Sequence, residues 1–406
     1  MHAPAPEPSS PRAPGTARVT AILATAAFAS TFGGRALEPL VGVVARDVES
    51  QPATIALLTA AYSLPYALIQ PILGPVGDAL GKERVMTVCV GLLALALTAS
   101  AFATGTGQLF ALRIVSGATA GGVIPLVLAM IGDRVPIERR QVAISRMLFA
   151  TITGQLSGSV LAGFLEGWIG WRGVLALNGA VALLAFAGSV LGFAATFRGP
   201  SRRFVVGEAV ARYRTILGNP RARVLFGSVF VEATAIFGLF PYLAPLLEGR
   251  GEGGAKEAGL VLAGFALGGL AYALLVRLLL RFLGLRHMLT TGGLICAGAL
   301  LVVGAAGSWR ADVAAMLALG LGFYMLHNSF QTQVTEVAPG SRGSAVALHA
   351  FSFFCGQAIG VTMFGLGLRT LGQFGVLAVC AAAILALGLG AAYLLTAREG
   401  PSSGGR

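Results

Sequence analysis

Six ionisable residues sit inside long apolar stretches of this sequence, away from the ends of those stretches: Arg35, Glu38, Arg113, Glu232, His327 and His349. A charge at the centre of a bilayer costs about 2.5–3.5 kcal/mol on insertion scales, so such residues are kept for a partner, a substrate or a proton path. Arg35 and Glu38 are three residues apart and share one helix face. Glu38 reaches the depth of Arg113, and between two guanidinium groups it is suited to stay ionised. Arg113 is either a pathway residue or an anchor snorkelling from a span end. Glu232 is the acid placed farthest from water in the second half of the chain, which suits it to exchange a proton. A carboxylate that selects cationic substrates is the competing reading. His327 titrates near neutrality when unperturbed and could share or relay that proton, while Asn328 and Gln331 add hydrogen-bonding groups beside it. His349 fits hydrogen-bonded scaffolding.

Other chemistries find no support in the residues. There is no His-Glu-x-x-His, no Gly-x-Ser-x-Gly and no Gly-Lys-Ser/Thr, so neither an intramembrane enzyme nor an ATP-driven pump is expected. Cys89, Cys296, Cys355 and Cys380 all lie in apolar runs without metal-ligand spacing and read as small buried hydrophobes. No metal and no cofactor is expected, and a proton gradient is the expected energy source.

The elements that must position these residues are membrane spans. Of 406 residues, 56% are hydrophobic and 11% charged, where a soluble chain carries roughly a quarter charged. Lipid explains the deficit, because a spanning helix needs about 20 mostly apolar residues. Spans are expected near 18–44, 53–77, 84–104, 108–132, 143–168, 172–196, 223–247, 257–281, 286–307, 311–335, 343–368 and 372–396. The net charge of +12 does not point to nucleic acid. The basic residues sit in short breaks and crowd the N-tail, the even-numbered loops and the C-tail, whereas the odd loops hold Arg46, Arg172, Arg250, Lys256, Arg310 and Arg369. That bias places both termini in the cytoplasm. The expectation is an all-α membrane protein of twelve transmembrane helices, multi-pass in the cell inner membrane, acting as a monomer on lipid, protons and a small-molecule substrate.

The domain plan is a disordered tail at 1–17, a six-helix bundle at 18–196, a cytoplasmic linker at 197–222, a second six-helix bundle at 223–396 and a C-tail at 397–406. In the linker, apolar and arginine residues alternate, which suits an amphipathic helix on an anionic leaflet or a plain solvated connection. The bundles repeat. Gly154-Gln155-Leu156-Ser157-Gly158 recurs as Gly356-Gln357-Ala358-Ile359-Gly360, and Arg140 maps onto Arg342. Phe32-Gly33 and Pro39-Leu40 echo Phe237-Gly238 and Pro245-Leu246. Parallel six-span repeats are a transporter architecture.

Gly74-Pro75-Val76-Gly77-Asp78-Ala79-Leu80-Gly81-Lys82-Glu83-Arg84 resembles the signature loop of the major facilitator superfamily, with Ala79 where an Arg is usual. Arg113 followed by Gly117, Gly121 and Gly122 resembles that family's fourth-span signature. Gly154, Gly158, Ala162 and Gly163 partly resemble its antiporter signature, with Ser159 where a Pro would stand. Arg35-Ala36-Leu37-Glu38-Pro39-Leu40 is similar to an Arg-x-x-Asp-Pro-Leu pattern in bacterial efflux permeases, and the stretch Phe323–Thr332 resembles the tenth span of arabinose-efflux-permease-like members. The resemblance implies a gating cluster of Gly74, Asp78, Gly81, Lys82 and Arg84. It also implies a substrate and proton cavity lined by the first, fourth, seventh and tenth spans, where Arg35, Glu38, Arg113, Glu232 and His327 fall. Gly117, Gly121, Gly154, Gly158, Gly163, Gly356 and Gly360 are expected at close helix contacts. The implied function is proton-coupled export of a small drug-like or sugar-like compound. Uptake by symport or facilitation, or a non-transporting assembly or sensor protein on the same fold, are the alternatives.

Overall fold

The computed structural model describes residues 16–193, 197, 206–305 and 307–396, and no strand occurs among them. The tails expected at 1–17 and 397–406 lie almost wholly outside the described residues. The helices are α1 (Thr16–Arg35), α2 (Val41–Asp47), α3 (Pro52–Leu80), α4 (Lys82–Ser100), α5 (Thr106–Ala120), α6 (Val123–Arg134), α7 (Ile137–Phe193), α8 (Val206–Gly218), α9 (Pro220–Phe237), α10 (Leu243–Arg250), α11 (Ala255–Ala305), α12 (Trp309–Val337) and α13 (Arg342–Thr396). Eight stretches among the described residues are long and apolar enough to cross a membrane.

Three helices are too long for one crossing. α7 has 57 residues, α11 has 51 and α13 has 55; a straight helix of 57 residues would run about 86 Å, against a hydrocarbon core of about 30 Å. Each is interrupted by one glycine at positive φ, Gly170 (67°), Gly284 (59°) and Gly372 (69°), a conformation that a Cβ disfavours. The chain turns back there. Gly154 and Gly192, on opposite sides of Gly170, both pack on α1, against Phe28 and Ile22 respectively.

The apolar runs expected at 18–44, 108–132 and 223–247 are not continuous helices. The first breaks after Arg35 into a 3-10 turn, Glu38–Leu40, before α2. The seventh breaks after Phe237 into a 3-10 turn, Phe240–Tyr242, before α10. Proline is the cause in both: Pro39 and Pro241 have no N–H to close the helical bond to the residue four back. The fourth run breaks at Gly121-Gly122, between α5 and α6. Periodicity could not reveal these breaks, because hydropathy stays high through them.

The breaks also correct the internal register. Pro39 corresponds to Pro241 and not to Pro245, at the spacing of 202 residues that separates Gly154 from Gly356 and Gly170 from Gly372. Packing follows the same spacing. A Cβ on Gly154 would strike the Phe28 carbonyl and one on Gly158 the Phe32 carbonyl; Gly356 and Gly360 meet the carbonyls of Phe230 and Thr234, 202 residues on.

The described core is divided unevenly. One continuous group of buried residues runs through α9–α13 and takes in Ala36–Leu58, Ala101–Leu109 and Ala162–Leu175 of the first half. The remaining buried residues of that half, from Val19–Ala29, Tyr62–Leu97, Ala120–Met147 and Ala182–Phe193, form a second group. The halves therefore share a core at the end that carries Arg46, and have largely separate cores at the end that carries Lys82.

Candidate functional site

Between the two halves lies a small cavity, partly open to solvent and lined by residues of both. The break in α1 supplies Arg35 and Glu38, and α7 supplies Gln155, Leu156 and Ser159. The opposite wall is aromatic: Phe237 and Phe240 flank the break after α9, Phe265 comes from α11 and Tyr324 from α12.

Backbone chemistry fixes the polar side. Pro39 leaves the Arg35 carbonyl without a helical donor, and the Ser159 hydroxyl donates to it at 3.4 Å. Arg113 donates to the carbonyls of Gly33 (3.3 Å) and Gly34 (3.2 Å) in the same unravelled turn, and its guanidinium lies 4.7 Å from the Tyr62 ring centre. Arg113 is thus occupied with carbonyls and makes no hydrogen bond to Glu38; it is buried and is not part of the cavity lining. Glu38 is held by Arg35 alone, Nη1 to Oε1 at 2.6 Å, and its Oε2 has no hydrogen-bond partner among the described residues. The Arg35 side chain is 14% exposed and that of Glu38 1%, so the guanidinium faces the cavity and the carboxylate lies behind it. Phe237 and Phe240 lie 4.8 and 5.6 Å from the guanidinium carbon, within cation–π range.

A second polar cluster lies behind the aromatic wall. Glu232 of α9 is fully buried, and its Oε2 is 2.9 Å from Nδ1 of His327 on α12. Its Oε1 has no partner among the described residues. α9 and α12 pack together these two side chains, which the sequence had offered as sharing or relaying one proton. His327 stacks on Phe323 (5.0 Å between ring centres) and lies 5.2 Å from the His349 ring. Phe323 in turn meets Phe237 edge-on at 5.2 Å, so two rings separate His327 from Arg35. Asn328 is half-buried and Gln331 exposed on α12; neither lines the cavity.

At the Lys82 end, the loop residues meet partners on other helices. Lys82 pairs with Asp133 at 2.6 Å and Glu83 with Arg134 at 2.6 Å, joining α4 to α6. Arg84 donates to the Phe197 carbonyl. Gly81 takes φ 95° between α3 and α4. The Asp78 side chain lies outside the described residues, and Gly74 falls within α3. α8 is helical, and its Tyr213 hydroxyl donates at 2.8 Å to the Pro71 carbonyl, which Pro75 deprives of its helical donor. At the opposite end Arg46 pairs with Glu248 (2.8 Å) and Arg172 with Asp47. Arg250 also pairs there with the fully buried Asp312 at 2.5 Å. Asp312 was missed because it opens a span, where an acid reads as a helix N-terminal residue. The glycines at 117, 121 and 163 lie where a Cβ would crowd Tyr62, Tyr66 and Ala255 backbone respectively.

The model of the Major Facilitator Superfamily matches residues 23–361. The gallate transporter of Pseudomonas putida is 32% identical over 114 residues, covering 27% of this chain and 24% of that one. The quinolone resistance protein NorA of Staphylococcus aureus is 29% identical over 155 residues, covering 38% of this chain and 39% of that one. The chain thus spans 24% and 39% of the length of these two curated relatives. The crystal structure of a D-xylose-proton symporter superposes with a TM-score of 0.74 at 15% identity, over 93% of this chain and 96% of that one, a likeness of fold.

Proposed function

The chain belongs to the Major Facilitator Superfamily, and on that premise we propose that it is a proton-coupled secondary transporter exporting a small organic compound by alternating access. Transport, and not catalysis, is the activity of this reading. The observation that carries it is the cavity between halves that share a core at the Arg46 end and part at the Lys82 end. That is the shape of one limiting state of a rocking pair of bundles around a central site.

The membrane topology of this reading has twelve spans in two bundles, 18–196 and 223–396. Counting α7, α11 and α13 as two crossings each, the eight apolar stretches give eleven, and α1 with α2 gives the twelfth. The Lys/Arg bias puts the Lys82 end and both termini in the cytoplasm, so the state described faces inward. The protein sits in the bacterial inner membrane. Arg35 and the aromatic wall form the substrate site, and Glu232 with His327 forms the proton site. A buried acid bonded to one imidazole, and open to the cavity when the α9 and α12 rings part, can gain and lose a proton as access alternates. The name of the quinolone resistance protein favours export, and that of the symporter favours uptake; the proton pair serves either direction.

The test uses everted vesicles from a host stripped of its own exporters, energised by respiration and carrying a dye for the pH gradient. Adding a transported compound is expected to collapse part of the gradient. Vesicles containing Glu232→Gln should not respond. Movement that ignores an uncoupler would remove proton coupling, and no movement of aromatic acids, lipophilic cations or pentoses in either direction would remove transport.

A further inference from the structure

The charge that the cavity presents is positive, although the chain offers one acid and one base to its lining. Glu38 is withdrawn behind Arg35, with 1% of its side chain exposed against 14% for Arg35. Glu232, the other acid near the midplane, is fully buried behind Phe237 and Phe323 and does not reach the lining. Arg113 lies near enough to Glu38 to act on its carboxylate electrostatically while bonded to the carbonyls of Gly33 and Gly34. The charges of Arg35 and Glu38 cancel, and with the buried Arg113 added the three groups carry a net charge of about +1 at neutral pH. A guanidinium also has five N–H donors. Glu38 takes one nitrogen of Arg35, and no other side-chain or backbone acceptor is bonded to Arg35 among the described residues. Its guanidinium carbon lies 4.8 and 5.6 Å from the ring centres of Phe237 and Phe240, which line the cavity with it. A planar fork of unused donors is the geometry that takes a carboxylate in two parallel bonds. The rings beside it offer flat apolar surface for the rest of a ligand.

Resting on the transporter reading, we propose that the substrate is a small organic anion with a flat, ring-bearing body, an aromatic carboxylate or close analogue. Its carboxylate docks on Arg35 and its ring lies against Phe237, Phe240 and Phe265. Glu38 is the internal counter-ion that keeps Arg35 pre-positioned when the cavity is empty. A lipophilic cation has no accessible acid to meet in this cavity and would face the guanidinium directly.

Three probes of one shape and different charge decide this: benzoate, benzamide and benzylamine, titrated calorimetrically against the purified full chain in nanodiscs. Benzoate is expected to bind, and the neutral and cationic probes to bind at least about tenfold more weakly, since a charge-assisted hydrogen bond is at stake. Arg35→Gln should weaken benzoate by at least about tenfold while leaving benzamide unchanged, and Arg35→Lys should recover part of the loss. Glu38→Gln should tighten benzoate. The assignment is overturned if benzylamine or benzamide binds as well as benzoate, if Arg35→Gln binds benzoate like the wild type, if Glu38→Gln loses it, or if no probe binds. Should Arg35→Gln prove unfolded by size-exclusion, the charge series on the wild type still decides. Flux in proteoliposomes separates the two readings. Movement of pentoses or lipophilic cations without benzoate binding defeats the anion assignment alone, whereas no movement of any solute defeats the transporter reading too.

Discussion

Replacing Glu232 should separate coupling from folding. The carboxyl has one partner among the described residues, His327 at 2.9 Å, and is fully buried. Glu232→Gln keeps the volume and keeps an amide atom facing Nδ1, as acceptor or donor according to the ring tautomer. Its effect on stability should therefore stay below about 1 kcal/mol, the size of one net hydrogen bond. His327→Ala is different. It strands the carboxyl at about 1–3 kcal/mol for the unsatisfied group, and it empties the space between Phe323 and Phe353, against which the imidazole packs at 5.0 and 5.2 Å. Converting both residues to leucine removes the polar pair together and should recover most of that loss. Thermal unfolding in nanodiscs measures all four proteins. Proteoliposomes measure coupling with whichever compound the vesicle screen identifies: Glu232→Gln should abolish transport driven by a pH gradient while exchange without a gradient survives. If exchange fails as well for cations but neutral compounds still follow the gradient, Glu232 is a substrate ligand. Gradient-driven transport at the wild-type rate would remove Glu232 from the mechanism, and a His327→Ala protein as stable as Glu232→Gln would refute the packing argument.

The Arg46–Glu248 pair is 64% and 26% exposed and so is worth about 0.2–1 kcal/mol. Arg46→Ala should raise labelling of a single cysteine at position 159 from the Arg46 side by no more than about fivefold, in a background without the native cysteines; a change of a hundredfold would mean that the pair is the gate itself. Gly158→Leu drives a side chain into the Phe32 carbonyl and should abolish monodisperse protein on size-exclusion, whereas Gly167→Ala, with open space around it, should leave the elution profile unchanged. Reporter fusions after residues 106 and 252 should read periplasmic and after residue 210 cytoplasmic, and a cytoplasmic signal at 252 would overturn the second-half topology. Asp78→Asn should slow turnover at equal protein level without loss of folded protein; unchanged turnover would strip the signature loop of its gating role.

Much of the scaffold is written in one dimension. Apolar length marks the crossings, and the glycines at 170, 284 and 372 fall where long helices reverse. The faces of those helices are not legible in the same way. In a span that is apolar all round, the 3.6-residue period carries little contrast, so nothing in the sequence aims Arg35 at Phe237 on another bundle. Glu232 and His327 were each identifiable by the cost of their burial, yet their contact depends on how α9 and α12 rotate against each other. Arg113 shows the same limit. Its place in the sequence set it at the depth of Glu38, while its donors go to carbonyls left open in the broken turn of α1, an acceptor type that sequence inspection overlooks.

Arg46 and Glu248 occupy the same position in the two halves, 202 residues apart, and they touch. A position that meets its own counterpart lies on the axis relating the halves. In a dimer of two identical bundles such a position faces its own copy, and would set arginine against arginine or glutamate against glutamate. The attraction seen here is available only once the copies differ. In one fused chain the two sides of the axis are free to differ, and one substitution on one side is enough to turn a point of self-repulsion into a clasp. The same asymmetry distinguishes the wall bearing Arg35 from the wall bearing Phe237, its counterpart by the same spacing. A molecule bound between them meets a charged partner on one side and a ring on the other, and so enters with one orientation where a symmetric pair would have offered two.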